Sequence, residues 1–202
     1  MAAKFLDDAA RHAFKEAIEA IESASAVEVV VAVRQRSARY LHANLAVGAA
    51  VAFAGLAAML FSSHEFALTS ILADPFAVGL VAGILVEQVA PLMRLLTPRA
   101  WRRRAVLRAA RATFVERGVH FTTGRSGVLV YVSWLEQEVA LVPDGGIKLD
   151  LAPAMAELTA AIPRGGAAVA ACLAALAPAF AKDLPHRDDD INELPDAIDE
   201  GP

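Results

Sequence analysis

The sequence predicts a mixed α/β protein with a transmembrane helical hairpin inserted after its first strand. Three observations lead to this prediction: two long apolar stretches with basic flanks, short β-branched segments typical of strands, and amphipathic stretches with helical spacing. Apolar strands with helices between them predict a sheet covered by helices.

The composition limits the classes of protein to consider. A chain of 202 residues is long enough for one modest domain and a further segment. Its 56% hydrophobic content exceeds the usual share in soluble domains. The single cysteine, Cys172, allows no intrachain disulfide and fits a reducing compartment. The N-terminal stretch has acidic residues and no apolar core segment, so we expect no secretory signal peptide.

The membrane hairpin is predicted from its length and lack of charge. The first stretch, "ANLAVGAAVAFAGLAAMLFS", extends over about 43–63 and contains no charged residue. The second covers about 75–96 and is interrupted by Glu87, Gln88 and Pro91. Since about twenty helical residues cross a bilayer core, we expect both stretches to span the membrane.

Arginine placement predicts the orientation of the hairpin. Arginines precede the first span and follow the second, whereas residues 40–93 contain no Lys or Arg. The positive-inside rule therefore places both termini in the cytoplasm and the short loop with Glu65 and Asp74 outside.

Glu87 has two interpretations. An ionisable group within a span is by default a functional hypothesis, such as a proton or ion pathway. It can also lie at the interface or pair the two helices, and this interpretation is favoured if the helix begins as early as Thr69.

The remaining segments predict helices and strands in alternation. An amphipathic helix over 5–24 carries Phe14, Ile18 and Ile21 on one face, with Asp7 as its N-cap. "VEVVVAV" predicts the first strand, and a basic helix ends near Gly118.

Two further strands, "GVLVYVSW" and "EVALVPD", are joined by a turn at 134–137. A helix follows over 149–162, with Asp150 as its predicted N-cap. A last helix over 166–184 is expected to be too short and Ala-rich for a third span. We thus expect an α/β domain made of residues 1–39 and 99–185, the hairpin over 40–98, and an acidic tail over 186–202.

These residues resemble a known family, the TPM domain. The resemblance is carried by "VEVVVAV", the helix ending "FVERGV", and "GRSGVLVYVSWLEQEVALVPDGGI". It covers roughly residues 5–35 and 105–185. The ending "DDINELPD" is similar to that of a bacterial membrane branch in which a transmembrane pair splits the domain. The family includes plant thylakoid-lumen and photosystem-repair proteins and a nematode channel-modulating protein.

The resemblance implies a three-layer α/β/α sandwich and a place in the bacterial inner membrane. Some members are described as acid phosphatases or as binding divalent cations through acids at strand ends. Carried over to this chain, that implies Asp144 and Glu136 as ligands for calcium or magnesium. The turn holds Leu135 where soluble members carry a second acid, which argues against phosphatase activity.

The sequence itself leaves the chemistry open. Carboxylates suit hard cations, and the loop residues Thr123, Gly124 and Arg125 offer N–H groups and a cation for an anion or substrate. The alternative is that acids beside glycine simply form turns. A non-catalytic interaction or regulatory module with an unidentified membrane protein partner is therefore the first hypothesis. A divalent-cation-dependent phosphatase acting on phosphomonoesters is the second.

The arginine-rich helix predicts a membrane-surface contact. Beside a span, anionic lipid headgroups are the simplest partner of Arg99, Arg102, Arg103 and Arg104, with Trp101 as an interfacial anchor. Aromatic interleaving is otherwise missing over 99–111, so nucleic acid is not expected to bind there.

The acidic tail has several interpretations. It can be solvated, or it can dock on its own domain or a partner through Ile191, Leu194 and Pro195. Its acids can also be drawn toward the arginine-rich helix, which Arg→Gln changes at 102–104 would test. The spacing of Asp188, Asp190, Asn192 and Asp199 only weakly resembles a calcium loop, since Glu193 replaces the required glycine.

Overall fold

The computed structural model of the chain describes residues 5–186, 193–194 and 198–201. The chain forms two compact units, one made of Met1–Ala38 with Arg102–Pro202 and the other of Arg39–Trp101. Each unit is described separately below.

The helices and strands alternate along the chain. The first part contains α1 (Asp8–Glu22), β1 (Glu28–Arg34), α2 (Leu41–Phe61), α3 (Leu68–Leu85), α4 (Ala90–Leu96) and α5 (Arg99–Glu116). The second part contains β2 (Gly127–Ser133), β3 (Glu138–Pro143), α6 (Ala152–Ala161), α7 (Gly166–Ala174) and α8 (Ala177–Asp183). Short 3₁₀ turns cover Val86–Gln88, Val119–Phe121 and Ile162–Arg164. The predicted mixed α/β fold is confirmed.

The three strands form one small sheet in the order β1-β2-β3. β1 pairs in parallel with β2 from Glu28 opposite Gly127 to Arg34 opposite Ser133. β2 and β3 are antiparallel and joined by the tight turn at 134–137. Parallel neighbours need a long crossover, and here that crossover contains the apolar hairpin.

Hydrophobic side chains fill both faces of the sheet because alternate residues of a strand point to opposite sides. On one face, Val29 and Val31 lie in the larger core with side chains of α1, α6, α7 and α8. On the other face, Val30 and Leu129 lie in a smaller core with Val106 of α5.

Local sequence signals place several of these elements. Asp7 Oδ1 accepts a hydrogen bond from Ala10 N at 2.8 Å, as predicted for the N-cap of α1. Gly118 adopts a left-handed conformation at φ 66° directly after α5. Asp150 differs slightly from the prediction, because its carboxylate accepts from Ala152 N while Leu151 occupies the N-cap position.

The second unit is dominated by the close packing of α2 against α3. Gly48 and Gly79 face each other so closely that a Cβ on Gly79 would lie 2.5 Å from the Gly48 carbonyl oxygen. A Cβ on Gly83 would lie 2.8 Å from the Asn44 carbonyl oxygen. Small residues that let helix backbones approach in this way are typical of transmembrane helix pairs.

The second apolar helix begins earlier than the predicted span. It starts at Leu68, one residue before the alternative start at Thr69, and contains Pro75 in its interior. Glu87 therefore lies about 28 Å along the helix from Leu68, at the end remote from the loop. Asn44 Nδ2 donates a hydrogen bond to Glu87 Oε1 at 3.1 Å, which supports the helix-pairing interpretation.

Among the described residues, three helical stretches are long and apolar enough to cross a membrane, judged by length and composition: Leu41–Phe61, Leu68–Gln88 and Gly166–Asp183. The third was expected to be too short, yet its 18 residues qualify. It is divided into α7 and α8, and its Val169, Leu173 and Phe180 are buried in the larger core.

Candidate functional site

Glu136 lies in the turn between β2 and β3 and its side chain is buried at 0% exposure. The turn is tight because Gln137 adopts a left-handed conformation at φ 54° and donates to Trp134 O at 2.9 Å. This conformation directs Glu136 back toward the segment after β1, where it accepts from Ser37 N at 3.0 Å. It also accepts a short hydrogen bond from the Ser133 hydroxyl.

The Glu136 carboxylate belongs to a buried hydroxyl network at the carboxyl ends of β1 and β2. Ser37 Oγ lies 2.8 Å from Ser133 Oγ and 3.3 Å from the Tyr131 hydroxyl. Burial raises the pKa of Tyr131, and the hydrogen bond from Ser37 offsets this only in part. The network satisfies polar groups that would otherwise be buried without partners.

Asp144 follows β3 and is also buried, at 6% exposure. Its Oδ1 accepts from Gly145 N at 2.6 Å and from Arg125 Nη2 at 3.1 Å. Its own N–H donates to Gly127 O at 2.8 Å. The carboxylate thus fixes the turn that follows β3 and pairs with an arginine whose side chain is 68% exposed.

The two acids implied as metal ligands are not brought together. All of β3, Glu138–Pro143, lies between Glu136 and Asp144, so the acids stand at opposite ends of a strand about 17 Å long. A calcium ion binds oxygens at about 2.3–2.6 Å, and one ion therefore cannot contact both. In the part of the chain that the structure describes, no three His, Cys, Asp or Glu side chains form a metal-binding group.

The predicted anion loop already holds a carboxylate from the tail. Thr123 N donates to Glu193 Oε2 at 2.7 Å, and this hydrogen bond lowers the pKa of Glu193. Arg125 adopts a left-handed conformation at φ 52° and points to Asp144. Gly124 packs beside Gly146, where a Cβ would meet the Gly124 carbonyl oxygen at 2.6 Å.

The predicted membrane-surface residues lie in the first turns of α5. Arg99, Arg103 and Arg104 are exposed, and Trp101 is 52% exposed. Arg102 differs, because its Nη1 donates to the backbone oxygen of Glu136 and so holds the β2–β3 turn.

The described part of the tail contacts arginines that the sequence did not single out. The Asp199 carboxylate pairs with Arg34 and Arg117, and Glu200 pairs with Arg11 at 2.7 Å. Asp199 and Glu200 thus pair with arginines other than Arg102–Arg104, whereas the tail acids at 188–190 and 196 lie outside the described residues.

The two arginine partners of Asp199 lower the pKa of its carboxyl group. Burial by itself raises the pKa of Asp199, but the hydrogen bond and charge of Arg34, with the charge of Arg117, outweigh it and lower the pKa. In the sequence, the only indication of these ion pairs is the excess of acidic residues in the tail.

Hydrophobic docking of the tail was predicted through three residues. Leu194 packs against the smaller core. Ile191 and Pro195 lie outside the described residues, as do Asp188, Asp190 and Asn192 of the calcium-loop comparison and most of the "DDINELPD" ending.

Comparison with known proteins supports the fold alone. No family model matches the chain, and no curated protein matches it. A solved structure, the NMR structure of the BA42 protein from the psychrophilic bacterium Bizionia argentinensis, is similar with a TM-score of 0.57 and 17% sequence identity. The match covers 98% of this chain and 96% of that one.

Proposed function

We propose that this chain is a membrane-anchored, non-catalytic interaction module built on a TPM-like α/β/α sandwich. The observation that carries the proposal is that both candidate acids accept hydrogen bonds from groups of their own domain. Glu136 binds Ser37 and Ser133 inside the domain, and Asp144 binds Arg125 and the Gly145 backbone. Catalysis would require such groups to contact a substrate or a shared ion.

The three-layer interpretation is supported by the two hydrophobic cores on opposite faces of the sheet. TPM membership rests on the motifs "VEVVVAV" and "GRSGVLVYVSWLEQEVALVPDGGI". Under this proposal the α/β unit lies in the bacterial cytoplasm beside the inner membrane.

Membrane anchoring is supported by the exposed apolar surface of the hairpin unit. Leu45 and Leu72 are both 72% exposed, and Phe53 is 67% exposed. A soluble protein rarely exposes large contiguous apolar patches, whereas a bilayer covers them favourably. Binding of anionic headgroups is supported by the exposure of Arg99, Arg103 and Arg104 at the start of α5.

Thermal unfolding with and without millimolar Ca²⁺ or Mg²⁺ tests the non-catalytic assignment. We expect the detergent-purified wild type to show no cation-dependent shift and no hydrolysis of p-nitrophenyl phosphate. An ion at a hundred times its Kd would add about 2.7 kcal/mol of stability. A shift or an activity that is lost in Asp144→Asn but kept in the matched Asp150→Asn variant would refute the proposal in favour of a metal-dependent phosphatase.

A further inference from the structure

The outer edge of β1 is bridged at one residue by the C-terminal tail. Asp199 N donates to Val31 O at 2.8 Å, and Val33 N donates to Asp199 O at 2.9 Å. Asp199 lies opposite Ala32 in a parallel bridge. The tail therefore pairs with β1 on the side that β2 leaves open, with the backbone contacts that begin strand addition in peptide recognition.

Side chains add specificity to this backbone pairing. The Asp199 carboxylate pairs with Arg34 and Arg117, and Arg34 Nη1 also donates to the Asp199 backbone oxygen at 2.7 Å. The side chains of Asp199 and Arg34 are only 8% and 14% exposed, so this pair is part of the folded domain. Charge-assisted hydrogen bonds of this kind are about twice as strong as neutral ones.

Neighbouring tail residues define a four-residue pattern. Ile198 packs against the larger core, and Glu200 accepts two hydrogen bonds from Arg11 at 2.7 and 2.9 Å. A Cβ on Gly201 would lie 2.7 Å from the Arg34 guanidinium carbon, so a larger residue at the last position would have to displace the end of the Arg34 side chain. Residues 198–201, which contact this edge, therefore have the pattern apolar residue, Asp, acidic residue, Gly.

The opposite edge of the sheet is partly blocked against strand addition. Val139 N of β3 donates to the Thr159 hydroxyl at 3.1 Å, and Pro143 has no N–H group. Blocked donors and proline are devices by which edge strands avoid pairing with other chains. On the outer edge of β1, Val29 N is also capped, by Glu22 Oε1 at 3.1 Å, but Val31 O and Val33 N pair with an extended segment.

We propose that the outer edge of β1 is a binding site for an extended segment of a partner protein with the pattern apolar–Asp–acid–Gly, and that residues 198–201 occupy it as an intramolecular competitor. The proposal rests on the proposed function as an interaction module and identifies the chemistry of its partner. The tail then regulates the module, since a partner must displace it.

Fluorescence anisotropy with a labelled peptide of residues 193–202 tests the site. The full chain and a variant ending at His186 are compared, both in detergent. We expect the peptide to bind the shortened variant at least tenfold more tightly than the full chain, because the tethered tail has a high effective concentration. An Asp199→Asn peptide should bind at least tenfold more weakly.

Two results would overturn the proposal. One is equal binding of a scrambled peptide of the same composition, which would indicate unspecific attraction to arginine. The other is a full-length dimer that disappears on truncation, which would make the tail of a second copy the occupant.

A full-length variant covers the case in which the shortened chain does not fold. Asp199→Asn in the full chain should speed hydrogen exchange of the Val33 amide at least tenfold and increase binding of the wild-type peptide. Exchange within α7 should not change. Unchanged exchange at Val33 together with unchanged peptide binding would refute the site.

The proposed function and the proposed binding site are tested by different assays. A phosphatase activity would refute the non-catalytic assignment and leave the peptide result standing. Absence of peptide binding would refute the site and leave the hydrolysis result standing.

Discussion

Replacing Glu136 by alanine tests whether this acid is a structural residue. The change removes the acceptor of two donors, the Ser37 N–H at 3.0 Å and the Ser133 hydroxyl. Each buried donor left without a partner costs about 1–3 kcal/mol, so we expect a loss of about 2–6 kcal/mol. For a chain of this size, 1 kcal/mol lowers Tm by about 2–4 °C, and the expected drop is at least about 4 °C.

Circular dichroism melting of the detergent-purified protein measures this effect. Glu136→Gln keeps an oxygen that can accept from Ser37, and should lose roughly half as much stability. The control Glu157→Ala changes an exposed acid on α6 and should stay within about 0.5 kcal/mol of wild type. An unchanged Tm for Glu136→Ala would refute the structural role of this acid and return it to the candidates for catalysis.

Three further outcomes are expected. Gly79→Ala should destabilise the hairpin by about 1–3 kcal/mol, because its Cβ would meet Gly48 O at 2.5 Å. The control Gly55→Ala meets only ordinary contacts near 3.5 Å and should be tolerated. The melting temperatures of the two variants should differ, and equal melting temperatures would contradict the packing. Ultraviolet titration should show Tyr131 ionising above the ordinary pKa of about 10, because burial raises its pKa. Above about pH 10 the unfolded chain loses this proton while the folded state keeps it, so the free energy of unfolding should fall as pH rises. The arginine partners of Asp199 lower its pKa against the effect of burial. The tail should therefore stay protected from protease above about pH 3.9 and lose this protection as pH falls through the lower pKa of the folded state. Release of the tail already at pH 5–6 would contradict the ion pairs.

Local patterns predicted the elements whose residues interact over short distances. The face formed by Phe14, Ile18 and Ile21 is buried because a helical period fixes which side chains share a face. The turn at 134–137 lies where two strand patterns meet a polar interruption. Gly118 adopts the left-handed conformation that favours glycine at a helix end.

Long-range arrangements could not be read from the sequence. Glu136 and Asp144 look equivalent as acids at strand ends, yet one strand length separates them, since that distance depends on which end of β3 each occupies. The contact of Asp199 with Arg34 joins residues 165 positions apart, and no local periodicity reports it. The predicted start of the second apolar helix lies between Thr69 and Pro75, since the apolar pattern alone does not fix it, and the helix begins at Leu68 with Pro75 in its interior, where a proline removes one helix hydrogen bond.

Cysteine accessibility in intact bacterial cells tests most directly the claim that a hairpin anchors a cytoplasmic module. In a Cys172→Ala background, one cysteine is placed in the loop between the spans, Ser63→Cys, and another in the α/β unit, Asp150→Cys. A maleimide that does not cross the inner membrane should label position 63 in cells with a permeabilised outer membrane and label position 150 only after lysis. Labelling of position 150 before lysis, or equal labelling of both positions, would contradict the account.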